Sequence, residues 1–206
     1  VTSYALLGLL TFGDELTGYE LKQRADNTMR FYWTSPAMSQ VYSELARLTE
    51  AGLVRRSGEG RGTTYAVTDE GRRAMERWMQ EAPVGMPVFK HPQALRLMIG
   101  HLTEPETLVQ MLEEYVGQVL AAHSDLAAVR RSLTGQDAVG QTFHNPSLVA
   151  EWGLAHFESE LAIARRTLAR LRHEHGLGGA GGPDGSDGSD GEATPERADE
   201  PVRDAR

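Results

Sequence analysis

The sequence contains no cysteine, so disulfides, thiolate nucleophiles and cysteine-bound metals are excluded, and a reducing compartment is the expected setting. Long apolar runs are missing as well. The stretch from Tyr4 to Phe12 is too short to cross a bilayer, and no basic, then apolar, then small-residue pattern opens the chain. A cytoplasmic protein without a membrane partner is expected. The seven histidines form no HExxH or other compact ligand set, and His173 and His175 fall at a helix end, so no metal is expected. There is no G-x-S-x-G and no acidic pair in a recognisable catalytic setting. The stretch Gly58-Glu59-Gly60-Arg61-Gly62 lacks the Lys-Ser/Thr of a phosphate-binding loop and leads into a strand, not a helix. Neither an enzyme nor a cofactor is expected.

A basic excess is also absent, since the net charge is -8. Its distribution matters more than its sum. Residues 1–82 carry -1, residues 83–175 carry -2 and residues 176–206 carry -5, so the acidity does not bar a nucleic acid from one face of the first segment. From Gly176 onward, repeated Gly and Asp with almost no large apolar side chain describe a disordered acidic tail. Pro83, Pro87 and Pro92 interrupt helix between two modules. The expected organisation is an amino-terminal domain over 1–82, a linker and short helix over 83–102, a helical domain over 103–175 and the tail over 176–206.

What is present in the first module is a set of helix and turn signals. Ser3 to Phe12 reads as a first helix. Thr17 and Glu20 form a capping box, with Leu16 and Leu21 at the hydrophobic-staple positions of a second. A third is expected to start with Ser35 as N-cap and Pro36 at the first helical position, placing Met38, Val41, Leu45 and Leu48 on one face. Gly52 suits a left-handed ending that brings Leu53 back onto Leu48. Leu53–Ser57 and Thr63–Val67 then read as strands joined by the glycine-rich loop, and Thr68 caps a fourth helix carrying Ala74, Met75, Trp78 and Met79.

The second module repeats apolar residues at alternating steps of four and three. Thr103 and Glu106 read as a capping box, followed by Leu108, Leu112, Tyr115, Val119, Ala122, Leu126, Val129 and Leu133. Asn145 and Pro146 open a further helix with Leu154, Phe157, Leu161, Ala164, Leu168 and Leu171. Two helices of roughly 40 Å, at ~1.5 Å per residue, carry more apolar stripe than one small module covers, so a homodimer is expected. Its seam is assigned to Leu108, Leu112, Tyr115, Val119, Leu126, Leu154, Phe157, Leu161 and Leu168.

Three helices, a hairpin and a fourth helix are the plan of a winged helix-turn-helix, giving a mainly α fold with a long-helix dimerisation domain. With the apolar face of the third helix turned inward, Ser39, Gln40, Ser43 and Arg47 face out and can reach base edges or phosphates. Arg61 sits at the wing tip, Thr63 and Thr64 supply hydroxyls beside it, and Lys22, Arg55 and Arg56 are phosphate candidates. Ser35 and Pro36, at the start of the recognition helix, complete this set.

The stretches "ALLGLL", "LTGYELKQR", "SQVYSELARLTEAGLVRR" and "TTYAVTDEGRRAMERWM", in this order and spacing, resemble the PadR family of transcriptional regulators. The long helical second half is similar to its larger subgroup with a virulence-activator-like carboxy-terminal domain. The resemblance covers residues 1 to 175. It implies a dimer that represses, less often activates, promoters from a pseudo-palindromic double-stranded DNA operator, with release on binding a small aromatic or amphipathic effector. It also implies that Tyr19 and Tyr42 lie near the DNA backbone, that Ser39 and Gln40 lead the recognition helix, and that Arg61 is the wing arginine. Many members have proline after the tyrosine of "VY", where this chain has Ser43, so the operator sequence does not carry over. Trp33, Trp78, Phe89, Met86 and Trp152 are candidates for an effector site between the modules, with core or dimer packing as the competing use. A winged helix used as a protein-interaction module without DNA contact is the alternative from another class.

Overall fold

The computed structural model describes residues 2–13, 15–86 and 90–177, with the side chain of Arg61 left out. Nearly all of the expected tail, and Phe89, lie outside the described residues. The first module runs α1 (Thr2–Leu10), β1 (Leu16–Thr17), α2 (Gly18–Thr28), a 3-10 turn (Met29–Phe31), α3 (Met38–Glu50), β2 (Val54–Ser57), a 3-10 turn (Gly60–Gly62), β3 (Thr64–Val67) and α4 (Asp69–Glu81). The second runs α5 (Pro92–Met98), a 3-10 turn (Gly100–Leu102), α6 (Pro105–Ser132) and α7 (His144–Glu174). This is a mainly α fold with a winged helix-turn-helix followed by long helices, as the sequence implies.

Local chemistry sets the ends of these elements. The Thr17 hydroxyl accepts from the Glu20 N–H, and the Glu20 carboxylate accepts from the Thr17 N–H at 2.8 Å, so the capping box of α2 is complete. Gly52, at φ 70°, ends α3 in a Schellman turn. There the Leu53 N–H donates to the Leu48 carbonyl at 2.9 Å and the Gly52 N–H to the Thr49 carbonyl at 3.0 Å. The same corner is held from α4: the Thr68 hydroxyl donates to the Gly52 carbonyl at 2.8 Å and the Thr68 N–H to the Leu53 carbonyl at 3.0 Å. Thr68 also accepts from the Gly71 N–H, capping α4 as its position suggests. A Cβ on Gly71 would lie 2.1 Å from the Leu53 carbonyl oxygen, so α4 packs backbone to backbone against this corner.

Apart from shifts of one or two residues at element ends, the structure differs from the sequence reading at two helix starts and one added strand. The third helix starts at Met38 with Ala37 as N-cap, because the Ser35 hydroxyl is engaged by Lys22 and Asp26, and Pro36 is buried in the approach to the helix. The sixth helix starts at Pro105 with Glu104 as N-cap and no side-chain cap, so the Thr103–Glu106 box does not form. With Pro105 at the first helical position, Glu104 becomes the N-cap and Thr103 falls one residue before it, out of register for a box with Glu106. Leu16 and Thr17 also form a short strand beside β3, giving a three-stranded antiparallel sheet in the order β1-β3-β2.

The core of the winged helix is made by Leu6, Leu7, Leu10, Leu21, Ala25, Val41, Leu45, Leu48 and Val54. Tyr4 and Trp78 stack at 5.2 Å between ring centroids, pinning α4 to α1. In the second module α6 packs along α7. Leu112, Val119 and Leu126 are buried here within the chain, as are Leu161 and Leu168, whereas Leu108, Tyr115, Leu154 and Phe157 are half-buried. Gly153 admits Leu126, whose Cδ2 would lie 2.6 Å from a Cβ at that position. Much of the stripe assigned to a seam between copies is thus covered by the chain's own second helix, since two antiparallel amphipathic helices in one chain can cover each other.

His91 ties α5 to this pair. Its Nδ1 accepts from the Ala94 N–H at 3.1 Å, while its Nε2 lies 2.8 Å from Glu160 and 3.1 Å from the Tyr115 hydroxyl. Burial and the neighbouring Glu160 carboxylate push the Tyr115 phenol well above its ordinary range. Contacts between the modules include the stack of Phe12 on Phe143 at 6.1 Å and the ion pair of Arg30 with Asp125 at 2.8 Å.

Candidate nucleic-acid interface

The outward side of α3 follows from the inward one. Val41, Leu45 and Leu48 are sealed in the core, and at 3.6 residues per turn this leaves Ser39, Gln40, Tyr42 and Ser43 exposed near the start of the helix. Ser43 donates to the Gln40 carbonyl at 2.9 Å. No hydrogen bond occupies the Gln40 side chain among the described residues, which leaves its amide free to pair with a base edge. Tyr19, on the first turn of α2, and Tyr42 are both about half exposed, at 58% and 47%. A Cβ on Gly18 would lie only 2.5 Å from a ring carbon of Tyr42, so this ring rests on the start of α2.

Several residues expected to face DNA are occupied otherwise. Pro36 is fully buried and has no surface to offer. Lys22 pairs with Asp26 and donates to Ser35 at 3.1 Å, so all three are tied together between α2 and the approach to α3. The bonds from Lys22 and Ser35 hold the Asp26 carboxyl below its ordinary range. Arg47 donates to Glu44 at 3.1 and 3.0 Å and bonds Ser3, which turns it back towards α1. Ser3 donates to Glu44 at 2.6 Å, and with Arg47 it lowers the Glu44 pKa. Glu44, three residues earlier on the same helix, is a local partner that spacing allows, whereas the bond of Arg47 to Ser3 spans two helices and leaves no local signal.

In the wing, Thr63 is buried and donates to the Gly60 carbonyl at 2.9 Å, so its hydroxyl shapes the turn and does not face outward. Thr64 donates to Glu15 at 3.2 Å, and Arg55 pairs with the same carboxylate. Glu15 was missed because nothing in the sequence signals that it meets the wing. Arg56 on β2 is exposed and makes no ion pair among the described residues. The backbone of Arg61 sits in the tip turn Gly60–Gly62, between strands that run beside α3 in the chain order of a wing.

The expected tryptophan site is not assembled. Trp33 and Trp152 are exposed, Trp78 stacks on Tyr4, and Phe89 lies outside the described residues. Trp33 lies on an exposed bend, Trp152 on the exposed side of α7 and Trp78 in a half-buried stack, and these positions need no ligand. A cavity of about 410 Å³ lies elsewhere, between α1 and α2 on one side and α6 and α7 on the other. Phe12, Tyr32, Phe143, Leu126 and Val149 provide its apolar wall, and Arg24, Thr28 and Asn145 its polar groups. The two sides of this wall, residues 9–32 and 126–150, lie far apart in the sequence, which is why no local pattern revealed them.

Residues 6–77 match the model of the transcriptional regulator PadR-like family. This winged helix is a PadR-like domain. The PadR-like family is one of transcriptional regulators, not enzymes. No curated protein matches the chain by sequence. Among solved structures, it resembles Bacillus subtilis PadR in complex with operator DNA, at 22% identity and a TM-score of 0.69, covering 82% of this chain and 98% of that one. It resembles the same regulator in complex with p-coumaric acid, at 22% identity and a TM-score of 0.68, over 82% and 97% of the two chains. It also resembles the Vibrio cholerae virulence activator AphA, at 22% identity and a TM-score of 0.67, over 84% and 99%. The likeness extends the PadR-type fold beyond the winged helix into the long helices. No helix among the described residues is long and apolar enough to cross a membrane.

Proposed function

We propose that this chain is a homodimeric, ligand-responsive DNA-binding regulator that represses from a pseudo-palindromic operator. The observation that carries this reading is the exposed strip Ser39, Gln40, Tyr42 and Ser43 on α3, set beside a wing in a PadR-like domain. Gln40 is the base reader, since a side-chain amide can donate to and accept from adenine together. Ser39, Tyr19, Tyr42 and Arg61 position the helix on the phosphates, with Arg56 as a further cation on the wing. Because Lys22, Arg47 and Arg55 already have acidic partners, phosphates must compete for them, and the salt dependence of binding is modest for the number of cations present.

The cavity suits an aromatic or amphipathic effector, with three aromatic rings in its wall and a few polar groups to orient the ligand. Bacillus subtilis PadR in complex with p-coumaric acid is a precedent for such a ligand on this fold. Because both modules line the cavity, a ligand that favours one angle between them changes the distance between the two recognition helices of a dimer. A second copy would cover Leu95, Met98, Ile99 and Leu102, which are exposed on α5 and the turn after it. Half-sites one turn of DNA apart, ~34 Å, or a multiple of it, are then expected.

The test is selection of a preferred duplex from random sequence, followed by titration at several salt concentrations. Affinity should fall with salt, and Gln40→Ala should cost about 1–3 kcal/mol at one base position. A variant that keeps the full sequence preference would remove Gln40 from the reading face. Salt-independent capture of a protein, with no duplex bound, would replace the regulator by an interaction module.

A further inference from the structure

We infer that Gly18 is a positioning residue for DNA binding, because it leaves the space in which the far end of the Tyr42 ring rests against the start of α2; this rests on the regulator reading above. Gly18 opens α2 just after the Thr17 cap, and it is not among the glycines with positive φ. Its backbone conformation therefore suits any residue, and alanine is the better helix former. What glycine alone supplies at this point is room. A Cβ would meet Tyr42 at 2.5 Å from Cε1, 2.8 Å from Cζ and 3.1 Å from the hydroxyl oxygen.

All three of those atoms belong to the far end of one side chain. Relief of the clash does not require backbone to move, because the ring can swing outward about its own torsions. Gly71 is the contrasting case: there a Cβ would lie 2.1 Å from the Leu53 carbonyl oxygen, which is fixed by its hydrogen bond from Thr68. Substitution at Gly71 thus acts on the fold, and substitution at Gly18 acts on the attitude of Tyr42. Tyr42 stands on the exposed strip of α3, between Ser39 and Ser43, at the joint of the helix-turn-helix. Held down against α2, its phenol faces the phosphate backbone at the rim of the groove. Lifted by a methyl group at residue 18, it projects from α3 and obstructs the approach of the helix to the groove.

The experiment is a double-mutant cycle on the full chain with Gly18→Ala and Tyr42→Ala, reading melting temperature and affinity for a short mixed-sequence duplex and for the selected operator. Gly18→Ala should keep the melting temperature and lose on the order of tenfold in affinity, equally on both duplexes, because a phosphate contact carries no sequence information. In the Tyr42→Ala background the same substitution should change nothing. If Gly18→Ala lowers the melting temperature, the Tyr42→Ala background should restore it, since removing the ring removes the clash. Wild-type affinity in Gly18→Ala, or an equal loss with and without the Tyr42 ring, overturns the assignment while leaving the regulator reading intact. A wild-type chain that binds neither duplex at low salt overturns the regulator reading itself, and this inference with it.

Discussion

The winged helix and the long helical pair handle their apolar residues differently. In the first, every residue of the core cluster comes from a continuous stretch, and Leu6, Leu7, Leu21, Val41 and Leu45 are fully sealed. In the second, α6 and α7 bury Leu112, Val119, Leu126, Leu161 and Leu168 between them, yet Leu95, Met98, Ile99 and Leu102 at the junction remain open. A small module with its own core can be stable alone, whereas two helices leave one side of their junction unsatisfied. The winged helix is covered within one chain, whereas the helical module leaves apolar surface that the proposed second copy would cover.

The sharpest way to test that difference is to remove one core residue from each side. Leu45→Ala and Leu126→Ala should each cost about 2–5 kcal/mol, the former in the urea transition of the winged helix and the latter in that of the helical pair. Loss of both transitions together in either variant would mean that the modules are one cooperative unit. Met98→Glu should shift sedimentation towards monomer, weakening association by at least ~1.4 kcal/mol, or tenfold, with the melting of the winged helix unchanged. Unaltered association would move the dimer face away from α5. Thr68→Ala removes the cap of α4 and its bond to Gly52, and should lower the melting stability of the winged helix by roughly 1 kcal/mol without touching the helical pair.

The smallest effect concerns pH. The Glu44 and Asp26 carboxyls are lowered in the folded state, chiefly by hydrogen bonds from Ser3 and from Lys22 respectively. A lowered folded pKa means stabilisation that is present above the ordinary carboxylate range and is lost as pH falls through and below it. Acid melts should therefore weaken the winged helix first, and Glu44→Gln should flatten part of that dependence. A slope identical to wild type would show that Glu44 is as well solvated folded as unfolded.

Much of the winged helix was legible because its signals are local. A capping box within four residues, a glycine after α3 and an apolar face at helical spacing each specify geometry that nearby chain enforces. The start of α3 was misread for the converse reason: Ser35 has the right chemistry for a cap, but Asp26 and Lys22, from the previous helix, take its hydroxyl. The same limit applies to the interface. Exposure of Gln40 and Tyr42 follows from periodicity, but the bond of Arg47 to Ser3, the pairing of Arg55 with Glu15, and the seat of Tyr42 on Gly18 are tertiary facts. The seam residues were identified as apolar from spacing, which cannot tell a helix in the same chain from one in a second copy.

The corner at Gly52 and Leu53 has a mechanical consequence. Two residues serve at once as the end of α3, the entry to β2 and the anchor of Thr68 at the start of α4. Such a splint leaves no slack among the three. A torque delivered to α4 from the proline-rich connection beyond it would swing α3 and the wing through the same arc, so that both would leave or meet the double helix together.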